Sequence, residues 1–110
     1  MKVELAFDDV PGDIEDARAD IHVEDQSEAD APAPQLFSRH VGPFAIRRSQ
    51  PIVTMDVDFT IPAGDYEPSL IVRVKASTQD HQPIEFLNTT ATPLPKEPSR
   101  SVRVVLSRIM

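Results

Sequence analysis

The chain has 110 residues, 40% of them hydrophobic, with eleven prolines, three glycines and no cysteine. That length suits one domain with a two-layer core, residues 1–110, and the prolines exclude a helical bundle because proline collects at turns and strand edges. The net charge of −7 is lopsided: residues 1–30 hold eleven acids and two bases (−9), residues 31–110 seven acids and nine bases (+2), a balance that argues against nucleic acid or an anionic membrane as partner.

Lys2 to Phe7 alternates Val3, Leu5 and Phe7 with Lys2, Glu4 and Ala6, the period of a half-buried strand. The acidic turn DDVPGD follows, with Pro11-Gly12 as its corner. Ala17 to Glu24 alternates again and runs into a turn of Asp, Ser, Ala and Pro, Asp25 to Pro34. Asp25, Ser27 and Asp30 are suited to accept hydrogen bonds from the backbone of that turn, and Pro32 fixes an extended exit. Gln35 to Val41 reads as a short or edge strand with a bulge, broken by Gly42-Pro43. Phe44 to Pro51 lacks alternation and reads as a loop or poor edge strand.

Ile52 to Ile61 has the cleanest alternation, with Val53, Met55, Val57 and Phe59 inward. Ser69 to Ser77 repeats it with Leu70, Val72, Val74 and Ala76 inward. Pairing of these two strands would set Arg73 and Lys75 opposite Asp56 and Asp58. Ile84 to Thr92 forms the next strand, Pro93 to Pro98 a stiff loop, and Ser101 to Ile109 the last strand. The expected architecture is all-β: an antiparallel immunoglobulin-like β-sandwich of about seven strands.

The strand-and-turn Asp25, Ser27, Ala29, Asp30, Ala31, Pro32 resembles the small β-sandwich lipoproteins of the YbaY/YscW type, which include type III secretion pilotins. The segments PIVTMDVDF (51–59), LIVRVKA (70–76), IEFLNTTATPL (84–94) and RVVLSRI (103–109) follow in the same order. The resemblance implies a non-catalytic, chaperone-like module that binds a partner polypeptide. The pilotin branch is tethered through a lipidated cysteine, and residues 1–110 hold no cysteine. With Met1-Lys2-Val3 entering a strand directly, the chain as written reads as cytoplasmic; a removed leader would place it in the periplasm or at the outer membrane.

Catalytic chemistry lacks its usual signatures. Ser27, Ser38, Ser77 and Thr89 stand without a Gly-x-Ser-x-Gly elbow, so no enzyme activity and no cofactor are expected. Asp20, His22 and Glu24 share one strand face, where His40 or His81 would have to join them to hold a metal. Asp8, Asp9, Asp13, Glu15 and Asp16 offer hard oxygens in a spacing that matches no calcium loop. Asn88-Thr89-Thr90 formally fits a glycosylation acceptor. The expected partner surface is the edge Gln35–Val41 with the loop 44–49, where Phe37 and Phe44 supply apolar contacts and Arg47 and Arg48 orienting charges. The occupant is a protein or peptide segment, a second copy of the chain included. The alternative is a small accessory subunit that stabilises a multisubunit enzyme.

Overall fold

The alternating stretches at 2–7, 17–24, 69–77 and 101–109 become strands whose apolar rows are largely buried, but the partners differ from those that alternation suggests. A computed structural model of the chain describes residues 1–27, 34–95, 97 and 100–109. The described residues form eight strands: β1 (Lys2–Phe7), β2 (Ile14–Asp25), β3 (Gln35–Ile46), β4 (Ile52–Asp56), β5 (Pro68–Ser77), β6 (Pro83–Leu87), β7 (Thr92–Pro93) and β8 (Val102–Arg108). They lie in the order β3-β2-β5-β6-β8-β1-β4, with β7 beside β5. The terminal strands β3 and β4 approach each other, so the sheet curls into a nearly closed barrel. No helix is present among the described residues.

The fold is all-β, and the antiparallel immunoglobulin-like sandwich is corrected to this mixed, barrel-like sheet. β1 runs antiparallel to β4 but parallel to β8, with Val3, Leu5 and Phe7 beside Val102, Val104 and Leu106. Both rows point into the core, so the pairing sets two buried rows side by side. Alternation assigns faces; it carries no information on which strand lies alongside or in which direction. For the same reason the expected match of Arg73 and Lys75 with Asp56 and Asp58 does not form. β5 pairs with β2 and β6, and Arg73 and Lys75 face Glu85 instead, each at 3.9 Å.

β3 continues through Gly42-Pro43 rather than breaking there. From Ala17 to Ala19, β2 takes two steps while β3 takes three, Phe44 to Val41, so the extra residue is accommodated as a bulge. Proline is tolerated because β3 is an edge. Gly42 has φ +131°, and a Cβ there would stand 2.7 Å from the Ala17 carbonyl oxygen, so the bulge requires glycine.

β4 is half the length its pattern suggests. β1 offers partners from Ala6–Ile52 to Lys2–Asp56, and Val57 N–H closes the ladder on the Met1 carbonyl at 2.9 Å. Beyond Val57 the chain leaves the sheet and crosses one end of the barrel. In the core, Phe86 is fully buried and meets Phe7 edge to face, centroids 5.1 Å apart.

Between β6 and β7 the sheet would gape, and Asn88 fills the gap. Its side chain is 5% exposed. Val72 N–H donates to Asn88 Oδ1 at 2.7 Å, and Asn88 Nδ2 donates to the Leu70 carbonyl at 2.8 Å. The amide thereby replaces a missing ladder step on β5, so the formal glycosylation acceptor is a buried structural clamp.

Candidate functional site

The segment that leaves β4 is held against two neighbours, and a groove of about 690 Å³ lies between them. Its floor is apolar: Phe59 and Ile61 from the β4–β5 connection, Tyr66 from the same connection, and Leu94 beyond β7. Phe37 of β3 backs the floor, its ring 5.2 Å from that of Phe59 at 62°. Gly64 is in contact with Tyr66: a Cβ at 64 would come within 2.8 Å of the phenol ring, so glycine lets the ring lie over the backbone.

Asp25 fixes one wall. Its carboxylate accepts the Ser27 N–H at 3.0 Å, the Ser27 hydroxyl at 2.8 Å and the Glu67 N–H at 3.1 Å. Gln26 N–H donates to the Glu67 carbonyl, and Leu94 N–H to the Pro68 carbonyl. The Ser27 hydroxyl and the Glu67 N–H hold the Asp25 carboxyl below its ordinary value by stabilising the charged form. The Asp-x-Ser of the turn thus ties the β2–β3 corner to the β4–β5 connection, and Ser27 and Glu67 both line the groove. Asp30 and Pro32, expected to share in this turn, lie outside the described residues.

The expected partner residues are not brought together. Phe37 lies under the groove, whereas Phe44 sits half-buried at the β3 bulge. Arg47 and Arg48 are at the opposite end of the barrel, where Arg47 makes a two-pronged ion pair with Glu15 and approaches Asp13 at 3.8 Å. The Glu15 hydrogen bond raises the Arg47 pKa above its ordinary value. Arg48 N–H donates to Asp13 Oδ1 at 3.0 Å. The basic loop and the acidic DDVPGD turn therefore close on each other.

On the outer face of β2, His40 pairs with Asp20, and buried His22 Nδ1 has no hydrogen-bond partner. Among the described residues no group of three or more His, Asp or Glu side chains is arranged to hold a metal ion. No helix among them is long and apolar enough to cross a membrane.

Reading the sequence missed Ile61, Tyr66 and Leu94 as groove residues. The available signal was large apolar side chains next to prolines: Ile61 before Pro62, and Tyr66 and Leu94 in proline-bounded segments with no expected strand to bury them.

No family model and no curated protein matches the sequence. Among solved structures, the chain is similar to an alternative pilotin from the type II secretion system of Vibrio cholerae. The likeness covers 100% of this chain and 96% of that one, with a TM-score of 0.63 and 18% identity. The fold is pilotin-like. At this identity the likeness concerns the course of the backbone and assigns no partner.

Proposed function

We propose that this is a non-catalytic module of the pilotin-like, YbaY/YscW type that binds a segment of a partner protein in the end groove. The observation that carries this reading is the groove itself, an apolar floor held open at the end where β4 leaves the sheet. Its volume falls in the range of about 300–1,000 Å³ typical of ligand-binding clefts. The full-length likeness to a pilotin supports a protein partner over a small substrate.

The groove suits a helix better than an added strand. Pro62, Pro68 and Pro95 in its lining have no N–H to offer. The N–H groups of Val57, Glu67 and Leu94 are already bonded within the chain. The lining from Asp58 to Glu67 forms no strand and so offers no regular ladder edge for β-augmentation; a helix, which satisfies its own backbone groups, is favoured. The partner follows from the pilotin reading as an envelope protein, with the chain in the periplasm or at the outer membrane; co-purification with a catalytic subunit from the cytosol would favour the accessory-subunit reading instead.

A photo-crosslinker placed at Ile61 should capture a partner in the native host, and the same group at Glu15, at the other end, should not. Phe59→Asp should abolish that capture while the far-UV spectrum stays that of a strand protein. Capture from Glu15 alone would move the site to the opposite end.

A further inference from the structure

The rim of the groove differs from its floor. Asp58, Asp65 and Glu67 stand on it, all exposed, and among the described residues no Lys or Arg lines the groove. None of these three carboxylates has an ion-pair partner among the described residues. Many acids elsewhere are matched, Glu4 with Arg103, Asp9 with Arg108, Glu15 with Arg47 and Glu85 with Arg73 and Lys75; what sets Asp58, Asp65 and Glu67 apart is that they stand together around an apolar floor. Met1, which also lines the groove, brings one positive charge, its ammonium donating to the Val57 carbonyl at 3.0 Å, so the three carboxylates still outweigh it.

We infer that the segment bound in the groove is cationic and amphipathic: large apolar side chains on one face, with Lys or Arg flanking them. The inference rests on the groove being the binding site and adds the chemistry of its occupant. The apolar floor makes the site, since burial of two or three Leu-sized side chains supplies the favourable free energy. The rim selects. Three like charges set around a low-dielectric floor sum to a negative potential at its mouth, which speeds encounter with a positive segment and disfavours a negative one. Because the rim is solvated, the charges act mainly on selectivity and on-rate, and their effect is screened by salt.

Tyr66 makes the test direct. It is the sole tyrosine, the chain has no tryptophan, and its ring lies in the groove, so tyrosine emission reports occupancy. Two synthetic helical peptides without aromatic residues serve as probes, with identical Leu positions and either Lys or Glu at every polar position. The Leu/Lys peptide should change Tyr66 emission and bind by calorimetry about tenfold or more tightly than the Leu/Glu peptide, a preference that shrinks in high salt. The triple variant Asp58→Asn, Asp65→Asn, Glu67→Gln should bind both peptides alike, because it removes charge at nearly constant volume. Phe59→Asp should bind neither.

Equal binding of the two peptides by the native chain, or a preference that survives in the triple variant, overturns the inference and leaves the groove as the binding site. No Tyr66 response and no heat with either peptide overturns both. Circular dichroism of each variant separates loss of binding from loss of fold.

Discussion

The two ends of the barrel are both acidic in sequence, and the chain treats them differently. At the end where β2 begins, Asp13 and Glu15 meet Arg47 and Arg48, and Asp16 Oδ1 accepts the Ser77 N–H at 2.9 Å. Asp13, Glu15 and Asp16 are engaged there in closing the end, while Asp80 beside them stands alone on the surface among the described residues. At the end where β2 finishes, Asp25 is likewise spent on the turn, but Asp58, Asp65 and Glu67 are left around an apolar floor. A site shows itself less by how many charges it holds than by unpaired charges gathered around an apolar floor.

The comparison is broken most severely at Asn88, which supports the groove end from behind by bridging Leu70 and Val72 next to β7. Asn88→Ala leaves a buried N–H and a buried carbonyl unpaired, at about 1–3 kcal/mol for each group. Chemical denaturation should show a loss of at least about 2 kcal/mol, with peptide binding weakened in parallel because Leu94 follows β7. A loss below about 0.5 kcal/mol would mean water or repacking replaces the clamp.

A smaller effect comes from acid. The Asp25 carboxyl lies below its ordinary value of 3.8, so its contribution to the groove wall is complete above that value and is lost as pH falls through the lower, folded one. The Glu67 amide proton should therefore titrate with a midpoint below 3.8, and Asp25→Asn should abolish that titration. A midpoint at or above 3.8 would detach the turn from the groove wall.

The smallest effect is expected at the other end. Arg47 and Arg48 are exposed and serve local closure, so Arg47→Ala with Arg48→Ala should shift thermal unfolding by only a few degrees, and peptide binding should be unchanged. Weakened binding, relieved by salt, would make the closed end a second contact surface.

Much of the fold was legible in the residues. β1 and β5 have the expected inward rows, and the all-β class follows from prolines and alternation. Strand partners were not legible, because Val3, Leu5 and Phe7 fit any apolar row equally well. Phe59 was read as inward, and it is, but as the floor of a groove rather than part of a strand. Arg47 and Arg48 looked free because their acids lie more than thirty residues upstream. Asp25 and Ser27 form a turn from local chemistry alone, while the bond to Glu67 depends on the tertiary course of the chain.

The parallel pairing of β1 with β8 has a consequence for assembly. Val3 finds its neighbour at Val102, so one flank of β1 waits for a strand made near the far end of the chain. Loop closure of that span must precede the contacts that reward it, which makes such topologies slow to fold. Until β8 arrives, Val3, Leu5 and Phe7 lie beside an open strand edge, the kind that other nascent chains can pair with. A ribosome-bound chain stalled before Val102 should accordingly be the species most prone to aggregate and the one that most needs a holding chaperone.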